Sequence, residues 1–378
     1  MIGDGAGAKL VAVTTFLRAP EAARRLGVST ATLYSYVSRG RVHRTIGADG
    51  RSSLFDLEEL EALRKQNRRP PPPPPTIDVR IASAVTQLDE DGLRYRDVPV
   101  DELIDQPYEQ VCALLWRTSP PELRPAPLPT NWSGAPEGIM GLVQLASGLQ
   151  LPDDPFAAAD ILLGTIPVAM GSAADPDLPY ADRLARAWAP RPPLELDRAI
   201  NSALVLLADH ELATSTLAVR VAASVRSSPT AAFIAGLATV DGELHGSASH
   251  HAHRLLLDCE RYGADHVLDR LRTERPRVPG FGHSIYRSRD PRFGLLLDRV
   301  QALPDPSGRL NTVASLLAVA GRYVAQAPNI DLALGALTFV AGLPPDCPVF
   351  AIARIAGWAA HYREEVDERP MRFRGLSY

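Results

Sequence analysis

The sequence predicts an all-α fold: a large helical body preceded by a small, separate N-terminal domain. From Val100 onward, apolar residues recur at the spacing of amphipathic helices, and Pro and Gly interrupt the pattern. The body shows no series of alternating strands and helices and no internal repeat. Six consecutive prolines, residues 70–75, predict a stiff polyproline II spacer. We therefore expect a head at residues 1–69, a linker at 70–76 and a body at 77–378.

The charge of the chain is unevenly distributed between head and body. The net charge is −4, and residues 1–69 hold 12 Lys and Arg against 7 Asp and Glu, a net of +5. The remainder therefore carries −4 − 5 = −9. A basic head on an acidic body predicts a polyanionic partner for the head.

Composition also indicates the compartment. No apolar run reaches about 18 residues, so we expect no membrane span. The N-terminus lacks the basic-then-apolar pattern of an export signal. The three cysteines, Cys112, Cys259 and Cys347, are far apart and predict neither disulfides nor a metal knuckle. These features predict a cytoplasmic protein.

The head reads as helix, tight turn, helix, basic hairpin and helix. The first helix starts at Ala19 and ends at Gly27, Ser29 caps the second, and Asp56 caps the third. A hairpin is expected around a tip at 47–50. A small helical module that contacts other proteins would show the same pattern.

This order resembles the winged helix-turn-helix domain of mercury-resistance regulators over residues 16–64. The resemblance implies a DNA-binding role in which residues 29–37 form the recognition helix. The DNA-contacting residues implied by it are Thr30, Thr32, Ser35 and Tyr36, with Arg39, Arg41, Arg44 and Arg51 near the phosphates.

The body opens with a predicted hairpin at 87–96 and continues in helices, with proline-rich connectors at 117–138 and 173–195. Its most distinctive stretch, 279–292, reads Pro-Gly-Phe-Gly-His-Ser-Ile-Tyr-Arg-Ser-Arg-Asp-Pro-Arg. His283 follows two glycines on a tight loop, and Asp290 caps the next helix. Arg292 then lies in the first helical turn, where the dipole disfavours a cation. A bound anion would explain that placement, although a solvated arginine is the plainer alternative.

Two other histidines are candidates for chemistry. His245 stands just before a helix N-terminus, where the dipole favours a neutral imidazole that can donate a hydrogen bond. His210 is predicted to lie within a helix, where a half-buried structural histidine is the common alternative. No Cys or acidic ligand is in register with the histidines at 250–253, so we expect no metal site.

An isolated acid and an isolated cation stand out in apolar surroundings. Asp331 is the only carboxylate in 330–342, and burial would raise its pKa and suit it to act as a general base. A helix cap is the alternative for Asp331. Arg354 lies in the middle of an apolar helix and needs an anion, either a structural carboxylate or a ligand.

Together these segments resemble citrate synthase from about Ile81 to Tyr378. The motifs, in family order, are Leu-Arg-Tyr-Arg, His-Glu-Leu, Leu-His-Gly, Gly-Phe-Gly-His-x-x-Tyr-x-x-x-Asp-Pro-Arg, Pro-Asn-Ile-Asp, Ala-Arg-x-x-Gly-Trp and Arg-Pro. The resemblance implies two helical subdomains, the smaller at about 211–322, and a homodimer. It also implies condensation of acetyl-CoA or propionyl-CoA with oxaloacetate, with acetyl-CoA as a substrate and no cofactor.

The resemblance also assigns roles to individual residues. Asp331 would remove the acyl α-proton, His245 would stabilise the enolate, and His283 would polarise the ketone of oxaloacetate. The residues implied to hold oxaloacetate are His210, Arg292, Arg354 and, from a partner subunit, Arg369. Arg287 matches a basic position used near CoA.

Some positions depart from the family pattern, namely Asp97, Ala213, Ser249 and Ser284. Together with the fused head, they motivate an alternative function. In that alternative, the chain is a transcriptional regulator whose synthase-like body senses a metabolite.

Overall fold

The computed structural model describes residues 16–47, 49–67, 80–89, 92–134, 138–243, 245–274, 277–283, 285–286 and 289–373. The chain divides into two compact units, Met1–Ile81 and Ala82–Tyr378. The predicted proline linker at 70–76 lies outside the described residues.

The head forms the helices and strands that its caps predict. Its elements are β1 (Phe16–Arg18), α1 (Ala19–Leu26), α2 (Thr30–Ser38), β2 (Thr45–Ile46), β3 (Ser53–Asp56) and α3 (Leu57–Asn67). Gly27 ends α1 in the left-handed conformation at φ 68°, and the Ser29 side chain accepts the Thr32 N–H at the start of α2. The three strands pair antiparallel in the order β1-β3-β2, so the predicted hairpin is confirmed.

A small hydrophobic core holds the head together. Its buried members are Ala22, Ala23, Leu33, Val42, Phe55, Leu60 and Leu63. They come from all three helices and from the hairpin, so the head has an apolar centre of its own.

The body is helical after a short antiparallel sheet. The sheet contains β4 (Thr86–Asp89), β5 (Gly92–Tyr95) and β6 (Val98–Pro99), and the β4–β5 pair confirms the predicted hairpin. The first helices are α4 (Val100–Leu103), α5 (Tyr108–Trp116), α6 (Gly138–Gly148), α7 (Pro155–Ala169), α8 (Tyr180–Trp188), α9 (Leu194–Leu207), α10 (Thr214–Ser224) and α11 (Pro229–Val240). The rest are α12 (Ala248–Tyr262), α13 (Ala264–Glu274), α14 (Pro291–Gln301), α15 (Arg309–Ala320), α16 (Ile330–Val340) and α17 (Val349–Val366).

Helix α17 is the centre of the body. It packs against α5, α7, α9, α10 and α11, and most of its residues are buried. Two aromatic side chains of α5 donate to its backbone: Tyr108 Oη to Ala353 O at 2.8 Å and Trp116 Nε1 to Ala356 O at 2.9 Å. Such side chain–backbone bonds fix the position of a buried helix, and with it the position of Arg354.

Two sequence interpretations were wrong. His210 does not lie within a helix, because α9 ends at Leu207 and α10 begins at Thr214. Buried Asp209 and the left-handed Glu211, at φ 50°, turn the chain between the two helices. The connector at 173–195 also contains a helix, α8, whose N-cap is Pro179.

Candidate active site

Three helices of the body begin close to one another, at the edge of the candidate site. Gly335 of α16 lies against Ala252 of α12, where an added Cβ would come within 2.8 Å of the Ala252 Cβ. The Asp290 carboxylate caps α14 and also accepts the Ile330 N–H of α16 at 3.0 Å. The first turns of α12, α14 and α16 contribute Ala248, Arg292 and Asp331 to the lining of one cavity, so the three helix starts converge there, and their dipoles favour an anionic ligand.

The glycine-rich loop before α14 is attached to the segment before α16. Gly282 N donates to Ala327 O at 2.8 Å, and Asn329 N donates to Gly280 O at 3.0 Å. Gly280 has φ 78°, and an added Cβ there would lie 2.7 Å from the Leu332 Cβ. Glycine is required for this close approach, which brings His283 next to the start of α16.

One cavity of about 510 Å³ collects the residues that the sequence singled out. Its lining includes His210, His245, His283, Arg292, Asp331 and Arg354. These six side chains come from positions spread over more than 140 residues, so only the fold brings them together. Phe350, Ala213 and Arg277 also line the cavity, and of these three only Ala213 was singled out in the sequence, as a departure from the family pattern.

Asp331 is half-buried in the first turn of α16 and is not its cap. Asn329 caps the helix, accepting the N–H groups of Asp331 and Leu332. Within the described part of the chain, the Asp331 carboxylate accepts no hydrogen bond. Burial raises the pKa of Asp331 to about 6, because the nearby cations of Arg292 and Arg354 only partly offset desolvation. An acid with this pKa is ionised at neutral pH and is more basic than an exposed carboxylate.

His245 precedes α12, and its Nε2 lies 3.0 Å from the Ser215 hydroxyl on α10. Burial, and secondly the Arg354 cation, lower the pKa of His245 to about 4, so the ring is neutral at neutral pH. If the Ser215 hydroxyl donates to Nε2, the imidazole proton lies on Nδ1. The buried Ser215 was not predicted from the sequence, although its place in the first turn of α10 is typical of Ser.

His283 and Arg292 present two donors side by side. The backbone N–H groups of Ile285 and Tyr286 both donate to His283 Nδ1, so the proton of the neutral ring lies on Nε2. Burial and the Arg292 cation lower the pKa of His283. Arg292 Nη2 lies 3.3 Å from His283 Nε2 while Asp290 binds the guanidinium at 2.9 Å through both carboxylate oxygens. Two N–H donors cannot bond each other, so both remain available to a shared oxygen acceptor.

His210 and Arg354 are buried with unpaired polar atoms. His210 Nε2 and Arg354 Nε and Nη1 have no hydrogen-bond partner within the described residues. The Arg354 guanidinium lies 4.8 Å from the Phe350 ring centroid, and burial lowers its pKa while Asp209 opposes that effect. Burial and the cations of Arg292 and Arg354 hold the pKa of His210 well below its usual range. A buried arginine without a hydrogen-bonded anion is costly, which is evidence for an anionic ligand.

The other predicted site residues are not in this cavity. Arg369 is exposed, beyond the end of α17. Arg287 lies outside the described residues. A second cavity, of about 450 Å³, shares Phe281, Gly282, His283 and Asn329 with the first and is also lined by Arg289.

Among the described residues, no group of three or more His, Cys, Asp or Glu side chains is arranged to hold a metal ion. His253, one of the histidines considered for zinc, is buried and contacts Thr338 Oγ1 at 2.8 Å. No helix in the described part of the chain has the length and apolar character needed to cross a membrane.

The head carries exposed basic side chains after α2 and in the hairpin that follows it. Arg39, Arg41, Arg44 and Arg51 are exposed, as is Thr30, whereas Thr32, Ser35 and Tyr36 are half-buried. The Thr32 hydroxyl contacts Ser29 Oγ at 2.8 Å, and the Tyr36 ring packs on the head core beneath Arg41.

Two family models match the chain. The citrate synthase C-terminal domain matches residues 158–374, and a helix-turn-helix domain matches residues 16–68. A citrate synthase of Haloferax volcanii is 33% identical over 181 residues, which cover 46% of this chain and 48% of the relative. A 2-methylcitrate synthase of Corynebacterium glutamicum is 27% identical over 180 residues, 46% of this chain and 47% of the relative. The chain thus matches about half the length of these curated relatives.

Solved structures show the same fold. A citrate synthase of Thermotoga maritima superposes with a TM-score of 0.67 at 23% identity, covering 79% of this chain and 92% of the other. A citrate synthase of Thermoplasma acidophilum, solved with carboxymethyl coenzyme A and oxaloacetate, gives 0.66 at 22% identity, with coverage of 79% and 93%.

Proposed function

Because the chain belongs to the citrate synthase family, we propose that its body condenses acetyl-CoA or propionyl-CoA with oxaloacetate. The products would be CoA and either citrate or 2-methylcitrate. The observation that carries this proposal is the cavity in which an acid, three neutral imidazoles and two buried arginines meet.

In the proposed reaction, the Asp331 carboxylate removes a proton from the acyl carbon next to the thioester. His245 donates a hydrogen bond from Nδ1 to the thioester oxygen as it gains negative charge. The resulting carbon nucleophile attacks the ketone carbon of oxaloacetate, and His283 supplies the proton that the ketone oxygen takes up. Water then hydrolyses the new thioester and releases CoA as a thiol.

Oxaloacetate would occupy the cationic side of the cavity. The unpaired N–H groups of Arg354 and the Nη2 of Arg292 suit its carboxylates, with His210 Nε2 beside them. The second cavity, with Arg289 at its edge, would accommodate part of CoA, and Arg287 remains proposed for the same role. The proposed reaction uses acyl-CoA as a substrate and requires no cofactor.

We propose a homodimer in which Arg369 completes the site of the partner subunit. Arg369 is exposed, and the segment after it is held in place: Arg372 Nε donates to buried Glu365 Oε1 at 2.7 Å, and Met371 N donates to Ser224 O at 2.9 Å. Met371 is 72% exposed, and a large exposed apolar side chain suits an interface.

The small subdomain proposed at about 211–322 would carry His245, His283 and Arg292, whereas Asp331 and Arg354 would belong to the large one. Its closure would exclude water until both substrates are bound.

The test of this function is thiol release from acetyl-CoA and from propionyl-CoA, measured with a thiol-reactive dye, in the presence and absence of oxaloacetate. Release that requires oxaloacetate would support the proposal, and the faster thioester would identify the acyl group. If neither thioester releases thiol although oxaloacetate binds in calorimetry, the proposed enzymatic activity is refuted and the sensor function is supported.

The second candidate function is a transcriptional regulator whose body senses a metabolite. It is favoured by the helix-turn-helix match and by four exposed arginines that follow α2 in the sequence of the head. Retention of the full-length chain on duplex DNA at low salt, lost as salt rises, would support it. No retention at any salt concentration would remove it.

A further inference from the structure

The loop between α9 and α10 places His210 in the cavity, and it is fixed from outside the cavity. Asp209 Oδ2 accepts the Glu211 N–H at 3.0 Å, which closes a turn around His210. The same oxygen lies 3.2 Å from His361 Nε2 on α17. Neither Asp209 nor His361 lines the cavity, and both are fully buried.

The contacts of His361 determine which ring nitrogen carries its proton. Arg220 Nη1 lies 3.1 Å from His361 Nδ1, and a guanidinium can only donate. Nδ1 is therefore the acceptor, and Nε2 carries the proton that is donated to Asp209. Arg220 is itself held by buried Glu365 at 2.9 Å and by Glu364 at 2.9 Å, so the tautomer is fixed by a rigid neighbour.

Close packing adds a second restraint on this loop. Gly357 N donates to Ala208 O at 3.1 Å, and an added Cβ on Gly357 would lie 2.3 Å from Asp209 Oδ1. The Tyr95 hydroxyl accepts the Asp209 N–H at 3.3 Å. The backbone immediately before His210 is thus held by groups that do not line the cavity.

Asp209 also provides negative charge near the substrate arginine. Burial alone would raise the pKa of Asp209, but His361 and Arg354 together lower it below its usual range. Asp209 in turn favours the charged form of Arg354, although no hydrogen bond joins the two within the described residues. The hydrogen bond from His361 keeps this carboxylate in place beside Arg354.

We propose that His361 is a positioning residue for the oxaloacetate end of the site: it acts through Asp209 to fix the loop that carries His210. The identity of the ligand in this inference rests on the proposed function. The link from His361 through Asp209 to the loop does not. At metal sites, the loss of a partner that orients a ligand typically costs about 10- to 100-fold in affinity, and we expect an effect at the lower end of that range here. We expect His361→Leu to weaken oxaloacetate binding roughly tenfold and to leave the KM for acetyl-CoA unchanged.

The test combines calorimetry with oxaloacetate and amide hydrogen exchange of residues 209–211 on the full-length chain. His361→Leu should speed exchange at Glu211, whose N–H bonds Asp209. His361→Gln should restore both readouts, because its amide N–H takes the place of Nε2, whereas the shorter His361→Asn should not. His266→Gln, an exposed histidine on α13, is the matched control.

Each outcome bears on one proposal. The positioning role would be overturned if folded His361→Leu binds oxaloacetate as tightly as the wild type and its loop exchanges at the wild-type rate. If that variant does not fold, Gln and Asn variants that behave alike would overturn it. If the wild type binds no oxaloacetate, the proposed function fails, and exchange at Glu211 alone decides the positioning role.

Discussion

Replacing Asp331 by Asn separates the proposed chemistry from the packing of the site, because it removes a base while keeping the shape. General base catalysis is worth about 10²–10⁴-fold, so thiol release by Asp331→Asn should fall by that range, about 3–5 kcal/mol in activation free energy. In the wild type, kcat/KM should rise with pH and level off above about pH 6, where the carboxylate is ionised.

The same substitution should stabilise the folded protein at neutral pH. Burial raises the pKa of Asp331 from 3.8 to about 6, so between these values the native state binds more protons than the unfolded state. Stability therefore falls as pH rises through that window, by up to about 3 kcal/mol at roughly 1.4 kcal/mol per pKa unit. Asn carries no charge, so its burial does not lower stability as pH rises. Asp331→Asn should therefore unfold at a higher temperature than the wild type at pH 7.5.

The assay pairs thiol release with thermal unfolding at pH 7.5 and pH 5. The advantage of Asp331→Asn should shrink at pH 5, where more of the wild-type carboxyl is protonated. Asp298→Asn, an exposed carboxylate on α14, should change neither readout. A variant that turns over as fast as the wild type would remove Asp331 as the base. An inactive variant that is less stable at pH 7.5 would refute the burial argument.

Three further outcomes follow from the proposals. Arg354→Leu should raise the KM for oxaloacetate at least tenfold, because it removes a proposed substrate contact. It should also raise the unfolding temperature, since it removes a buried cation without a hydrogen-bonded partner. An unchanged KM would exclude contact between Arg354 and the substrate. Inactive Arg369→Ala and Asp331→Asn chains, unfolded and refolded together, should regain about a quarter of wild-type thiol release, because half the dimers hold one complete site. No recovery would place Arg369 outside the partner's site. Arg44→Glu in the head should weaken DNA retention and reduce its salt dependence. Arg254→Glu in the body makes the same charge change and should alter neither. Equal effects of the two variants would show that only the net charge matters.

The sequence predicted helix ends correctly where a residue type favours one local conformation. Gly27, Ser29 and Asp290 end or start helices as predicted, because a left-handed turn and a side-chain cap depend on few neighbours. The all-α fold and the family resemblance are confirmed, since ordered motifs along the body leave few alternatives. The helical placement of Arg354 is confirmed for the same reason.

Tertiary contacts decided what the sequence could not. Apolar residues from Leu204 to Val221 recur at helical spacing and predict one continuous helix. Contacts from Tyr95, Gly357 and His361 nevertheless hold an irregular loop between α9 and α10. These residues are over 100 positions away from His210, so no local pattern could show the break. The capping role offered for Asp331 belongs to Asn329, two residues earlier. Because Asp331 accepts no capping N–H group from the described residues, no such hydrogen bond opposes the rise in its pKa on burial.

The charges of the cavity are consistent with oxaloacetate binding before the acyl-CoA reacts. Without ligand, the cations of Arg292 and Arg354 oppose the rise in the pKa of Asp331, while burial and the Arg292 cation lower the pKa of His283. A bound dicarboxylate would neutralise those cations. Its negative charge would therefore raise the pKa of Asp331 and make it a stronger base, while the carboxylates would be held by the same arginines. In the proposed reaction, the first substrate thus strengthens the base that removes the proton from the second substrate.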